Sequence, residues 1–279
     1  RRMKGIVQLD INDLTHPFDQ EEMLYRTGIA VGDYPVDHHH RAYPLHNELP
    51  DLHFYPIPSY SVPLGSLIPS NLDNFIVSEK SISVTNIVNG TTRLQPVCML
   101  HGQASGVLAA LSSKKNITPA KVSIREVQSV LLENESYIMP YSDVFPNEDD
   151  FVAIQKIGST GILRGEGKNI GWKNHTFFYP DSLIVNSEIT KHLREWGVDV
   201  DFDSEFLKVS QMLQIINEFK KLSKFEEDLT YQEFYKISLD KGIQISPNSL
   251  LKRREFSVIL NEIIDPFNLK DVDHRGVFK

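Results

Sequence analysis

Two short stretches gather the side chains best suited to chemistry. The first is Gly32-Asp33-Tyr34-Pro35-Val36-Asp37-His38-His39-His40. Imidazoles titrate near neutrality, so such a run suits proton transfer or substrate contact, and Asp37 beside it would orient a histidine and raise its pKa. On an extended segment neighbouring side chains alternate faces, so His38 and His40 share one side and His39 takes the other. A metal needs three or four converging ligands, which a single run does not supply, so no metal site is assigned. A solvated, hydrogen-bonded loop is the plain alternative. The second stretch is Asn89-Gly90-Thr91-Thr92-Arg93-Leu94-Gln95-Pro96, followed by Val97. A tight polar turn leading into a helix exposes free backbone N–H groups and the positive end of the helix dipole. It could hold an anion or an electron-rich ring edge, with Arg93 adding charge, or it could be an ordinary capped helix start.

The elements that must carry these stretches follow from periodicity. A short β-branched run within residues 74–84 predicts one buried strand, at 74–79, leading into the turn at 89–95. Val97, Leu100, Val107, Leu108 and Leu111 recur at helical spacing to about Ser113, and Pro96 sits where a first turn tolerates proline. Gly102, Ala104, Ser105, Gly106, Ala109 and Ala110 leave one side of that helix smooth, which predicts a closely packed face. A second helix is expected at Ile124–Leu132. Eight of the 15 prolines lie in residues 17–69, so the first 70 residues read as extended segments and turns around short strands. Beyond Pro140 helices are expected at Asp149–Ser159, Ser187–Trp196, Ser204–Leu222, Tyr231–Asp240 and Lys252–Ile264.

Composition removes several classes. Lysine and arginine total 29 against 37 aspartates and glutamates, a net charge of −8, so a basic nucleic-acid face is excluded. The single cysteine, Cys98, excludes an internal disulfide and a Cys-rich zinc module. No apolar run approaches 18 residues, so no membrane span is expected. The opening Arg1-Arg2-Met3-Lys4 lacks the apolar stretch of a secretory signal. There is no Gly-x-Gly-x-x-Gly, no nucleophile elbow and no His-Glu-x-x-His.

Five blocks, in order, carry a family resemblance: Tyr34-Pro35-Val36-Asp37-His38-His39; Ile57 to Pro69; Leu72-Asp73-Asn74-Phe75-Ile76-Val77; Ser81-Ile82-Ser83-Val84-Thr85; and Thr92 to Gly106. Together they resemble the C-terminal half of Bacteroidetes-type FAD-dependent oxidoreductases, whose relatives are sometimes labelled xanthan lyases. The resemblance covers roughly residues 1–135. It implies FAD as cofactor, with the backbone around Arg93–Val97 facing the flavin's pyrimidine edge and residues Gly90, Thr91, Thr92, Arg93, Gln95, Pro96 and Val97 as the cofactor-binding set. It maps a Pro-x-Asp-x-His pattern onto Pro35, Asp37 and His39, making His39, assisted by Asp37, the expected substrate-side acid/base. His101 stands where relatives often have a small or apolar residue. The nucleotide-binding unit with its Gly-rich loop is missing, so the chain reads as a fragment that is inactive and colourless alone.

The tail resembles two degenerate S-layer homology repeats. One runs through Tyr141 to Pro146, Gly161 to Gly165, Phe178 to Ser182 and Glu188. The other runs through Lys241-Gly242-Ile243 and Lys252-Arg253-Arg254-Glu255-Phe256, with Arg253 and Glu255 kept and Asn186 at the first copy's matching arginine position. Such helix–loop–helix units bury their apolar faces only by stacking. The expected fold class is therefore α/β: a partial FAD-oxidoreductase domain at 1–140, short strands plus a closing helix, followed by an all-α module at 141–279. The resemblance implies a flavin-dependent oxidoreductase acting on a small-molecule or carbohydrate-like substrate, and it favours a periplasmic or secreted setting. The alternatives are a non-catalytic carbohydrate or cell-envelope binding protein, whose tail contacts cell-wall polymer, and a polysaccharide lyase.

Overall fold

The computed structural model describes residues 3–38, 54–222 and 227–279. It is a mixed α/β structure. The chain divides into two compact units, one formed by residues 1–142, 166–177 and 271–279, the other by 143–165 and 178–270.

The first unit is built largely from extended chain. Strands β1 (Gly28–Gly32) and β2 (Tyr60–Pro63) pair antiparallel, with a register irregularity after Gly28. Single bridges join Gly5 to Pro69 and Leu9 to Val84. Helix α1 (Ile11–Thr15) opens on a capping box of Asp10 and Asp13. Helices α2 (Asn86–Thr92), α3 (Gln95–Lys115) and α4 (Ile124–Glu133) complete the core, with α3 and α4 packed on β1. Gln128 of α4 donates to the carbonyls of Arg26 (3.1 Å) and Gly28 (2.8 Å), and Arg125 Nη1 donates to Gln128 Oε1 (2.9 Å), so β1 is held by polar side chains in a buried setting. The last segment returns here: Arg26 donates to the Gly276 carbonyl at 3.1 Å. Gly276 has φ +78°, and a Cβ there would stand 1.9 Å from the Met23 carbonyl, so only glycine fits.

Three expectations for this unit are corrected. No strand forms at 74–79: Phe75 is exposed, a short 3₁₀ turn covers Glu79–Ser81, and only Val84 makes a bridge. Backbone bonds to neighbouring segments gather at its end, from Ser83 to the Ser66 carbonyl (2.8 Å) and from Leu9 to the Ser83 carbonyl (3.2 Å), and there Ile82 and Val84 are buried. The expected turn at 89–95 is mostly helix, because Thr85 caps α2 and the helix runs to Thr92, leaving a break at Arg93 and Leu94 before α3. The smooth side of α3 faces outward: a Cβ on Gly102 or Gly106 would meet nothing within 4 Å. The packed side is instead Val97, His101, Ala104 and Leu108.

A hairpin from the tail also belongs to this unit. Strands β3 (Glu166–Ile170) and β4 (Lys173–Phe177) pair through a two-residue turn at Gly171 and Trp172, with Gly171 at φ +62°. The helical reading of the tail has no place for it, since its polar strands show no apolar period.

The second unit is helical among its described residues: α5 (Phe151–Thr160), α6 (Asn186–Glu195), α7 (Val209–Leu222), α8 (Tyr231–Asp240), α9 (Arg253–Ile263) and α10 (Pro266–Leu269). The segment 204–208, expected within a helix, is not helical: it bends at 204–205 and is bridged at Phe206 and Lys208, and α7 begins at Val209. The reason is a three-way hub. Ile184 N–H donates to the Leu251 carbonyl (3.3 Å), Leu251 to Leu207 (3.1 Å) and Leu207 to Ile184 (2.9 Å), closing a ring. Three further bonds join the same segments in the opposite sense, from Asn186 N–H to the Glu205 carbonyl (2.9 Å), Val209 to Ser249 (3.0 Å) and Arg253 to Ser182 (2.9 Å). Each extended segment feeds directly into a helix, α6, α7 or α9, and the central Ile184, Leu207 and Leu251 are all buried. The tail therefore contains three equivalent strand–helix units where the sequence suggests two copies. The unrecognised copy is Phe206-Leu207-Lys208-Val209-Ser210-Gln211, which carries neither the arginine nor the glutamate of the third. Helix α5 packs on α9, burying Ala153, Ile154, Ile157, Phe256 and Ile259.

Candidate functional site

The site builds outward from the break between α2 and α3. Helix α3 starts without a side-chain cap: Leu94 occupies the cap position and offers no acceptor, while Pro96 in the first turn has no N–H to satisfy. Gln95 and Pro96 are exposed at this positive dipole end, while Val97 in the same turn is buried. Beside this turn lies an open pocket of about 810 Å³, lined by Ser78, Lys80, Gln95, Cys98, Met99 and Gly102 among others. The Ser78 hydroxyl is buried there without a hydrogen-bond partner among the described residues.

One wall of this pocket depends on His101, which sequence reasoning notes only as an oddity. His101 is fully buried on α3, and its Nδ1 lies 3.2 Å from the Glu79 carbonyl. A carbonyl only accepts, so Nδ1 carries the proton and donates. Burial drives the imidazole pKa down to about 4, so His101 is neutral at pH 7. Its bond fixes Glu79, a non-glycine residue at φ +61°, and with it the Ser78–Lys80 wall. Burial also raises the Cys98 thiol pKa; Lys80 opposes that shift and Glu79 adds to it.

The residues of the histidine run reach the same region from the other side of α2. Arg93 Nη2 donates to the Asp37 carbonyl at 2.9 Å, so its guanidinium holds the 37–38 backbone. His38 Nε2 lies 3.0 Å from the Ile87 carbonyl, and a Cβ on Gly90 would stand 2.7 Å from His38 Cδ2. Gly90 is thus glycine to let this imidazole lie on α2, a signal legible in the sequence as a glycine amid polar residues. Thr91 Oγ1 donates to the Tyr34 carbonyl (2.6 Å) and lies 2.8 Å from the Tyr60 hydroxyl, while Thr92 Oγ1 donates to Val88 (3.2 Å). Both threonines are buried in α2 and engaged inside the protein. The structure therefore brings Asp37, His38, Gly90 and Arg93 together and puts Gln95, Pro96 and Val97 on the first turn of α3. His39 and His40 lie outside the described residues.

This open helix start, with an unsatisfied hydroxyl beside a pocket, suits an electron-rich ring edge. Residues 1–131 match the family model for FAD dependent oxidoreductase. The match implies FAD as the cofactor and supports a flavin-dependent oxidoreductase in general terms. The uncapped turn and the Ser78 hydroxyl fit the ring end of FAD. No Gly-x-Gly-x-x-Gly stands in the sequence to cradle its pyrophosphate. No curated protein and no solved structure matches the chain. Among the described residues, no helix is long and apolar enough to cross a membrane, and no group of three or more His, Cys, Asp or Glu is arranged to hold a metal.

Proposed function

We propose that residues 1–142 close the flavin side of an FAD-dependent oxidoreductase of the Bacteroidetes type, the one whose relatives bear the xanthan lyase label, and that its substrate is carbohydrate-like. The observation that carries this reading is the uncapped first turn of α3, opening on the 810 Å³ pocket inside the family-matched residues. When bound, FAD accepts the electron pair removed from the substrate. This chain's own part is to present the α3 N–H groups, with Val97 in that first turn, to the pyrimidine edge, where negative charge grows on reduction. Gly90, Thr91 and Thr92 contribute by shaping α2, on which His38 lies, and Arg93 by anchoring the Asp37 backbone. Asp37 and His39 are the proposed acid/base pair on the substrate side. For the tail, the three-way hub supports an S-layer-homology-like module, and with it the second reading of a cell-envelope binding protein.

A titration of the chain with FAD, followed by NMR line broadening, tests the flavin reading. A dipole end and a few donors contribute only about 1–3 kcal/mol, far short of the ~8.2 kcal/mol of micromolar binding, so binding weaker than micromolar is expected. Leu94→Asp would cap α3 with its own carboxylate and should abolish even that. Equal binding by the wild type and Leu94→Asp would overturn the assignment.

A further inference from the structure

We propose that the hairpin at 166–177 is a wall of the substrate site, and that the indole of Trp172 is the face on which a sugar ring of the substrate lies. This rests on reading Tyr34–His38 as the substrate side of the site.

The hairpin lies outside the family-matched residues yet belongs to the first unit. It is pinned to the candidate segment and its neighbours: Asn174 Nδ2 donates to the Asp33 carbonyl at 2.6 Å, Thr176 Oγ1 to the Ser59 carbonyl at 2.9 Å, and Asn169 Nδ2 to the Ile57 carbonyl at 2.5 Å. Gly167 passes so near Pro58 that a Cβ would stand 2.6 Å from its ring. The position of the turn relative to Tyr34–His38 is therefore built in. That turn presents Trp172 with 79% of its surface exposed, an unusual state for the residue with most apolar area to bury. Phe54 meets Trp172 at a right angle, 5.4 Å between centroids, and Tyr34 meets Phe54 edge-on at 6.1 Å. Three rings thus step from the turn to the residue that opens the Tyr34–His38 segment.

The size and rim of this ladder choose its occupant. A stable protein interface buries about 800 Å² per partner, whereas here an open indole stands on strands whose residues are mostly charged or polar. One face of a sugar ring is about the size of one indole face, far below that area. Its C–H face is positively polarised and lies well on the electron-rich indole face, while its hydroxyls reach the exposed Asp33 and Lys173 at the rim.

The chain's two tryptophans provide the test, because Trp196 is buried and Trp172 is open. The intact chain is screened on an array of neutral and acidic oligosaccharides, and the strongest binder is titrated by tryptophan fluorescence, with no flavin present. Binding that changes the emission, weakens tenfold or more in Trp172→Ala and is largely kept in Trp172→Phe is the expected result, with unchanged circular dichroism showing both variants folded. No oligosaccharide bound, binding indifferent to Trp172→Ala, or self-association lost in Trp172→Ala would each overturn the proposal. The FAD titration with Leu94→Asp reads the flavin assignment separately, so failure of one is told apart from failure of the other.

Discussion

The two units solve the same problem, ordering extended chain, by different means. In the second unit three extended segments satisfy one another in a closed ring, and each ends in an amphipathic helix that covers the ring's apolar centre. In the first unit the extended segments do not repeat, so side chains take over the pairing: Gln128, Arg125, Ser61 and Thr176 donate to backbone carbonyls on distant segments. The lesson is that a repeating unit carries its partners in its own pattern, whereas a singular one depends on polar contacts over 100 residues or so in sequence, such as Gln128 to Gly28.

This difference can be broken most sharply at the hub. Leu207 is fully buried at its centre, and Leu207→Ala should destabilise the second unit by about 2–5 kcal/mol. Urea unfolding read by Trp196, in a Trp172→Phe background, should shift to lower denaturant with the slope retained. In the first unit, Gln128→Leu removes one donor from the Gly28 carbonyl and one of the two on the Arg26 carbonyl, which keeps its bond from Arg125, and should cost about 1–3 kcal/mol, read by Trp172 in a Trp196→Phe background. A hub variant as mild as an exposed substitution would mean that the three segments do not act as one closed ring.

Legibility in the sequence follows the same division. The starts and ends of α4, α5, α6, α8 and α9 fall within about two residues of the positions expected, because a period of 3.6 with Ser123 or Thr230 at the cap is local information. The hub was half legible. Two of its three segments lie in the stretches that suggest a repeat, while the one around Leu207 has no arginine or glutamate at the matching positions and is identified by backbone pairing alone. The hairpin was not legible, since its strands bury little and its register comes from Asn169, Asn174 and Thr176 reaching segments more than 100 residues earlier. At the candidate site, the structure brings Asp37, His38, Gly90 and Arg93 together and places Gln95 to Val97 on the first turn of α3. Their helical state and the role of His101 depend on which groups happen to be buried together.

Each unit also holds a neutral histidine, His101 fully buried and His192 half-buried, and acid should separate them. Burial takes His101 down to about 4 in the first unit; burial, then Arg164, takes His192 to about 4 in the second. Below the ordinary histidine pKa of about 6.5 the unfolded chain gains a proton that the folded one refuses. The stability these groups permit is therefore complete above about pH 6.5 and lost progressively as pH falls toward 4. His101→Gln removes the titration while keeping an amide donor for Glu79. Its stability relative to the wild type should rise as pH falls from 7 to 4.5, seen at Trp172 but not at Trp196. An unchanged difference across that range would show that His101 titrates normally.

The smallest effect concerns the smooth side of α3. The small residues predict a packed face, on which a larger side chain would clash; the structure turns that face outward, where glycine only weakens the helix. Gly106 lies well inside α3, away from either cap, so the expected consequence of Gly106→Ala is a gain of about 0.5–1 kcal/mol from backbone entropy and helix propensity. Gly102→Ala should act likewise, and the double variant should be nearly additive. The four-residue spacing puts the two on one face without making their added methyl groups touch strongly. Thermal unfolding followed at Trp172 would detect the shift. A loss of stability in either variant would mean that something in the folded protein does approach this face closely, and that the first unit, like the second, buries more of its chain against itself than its extended segments alone require.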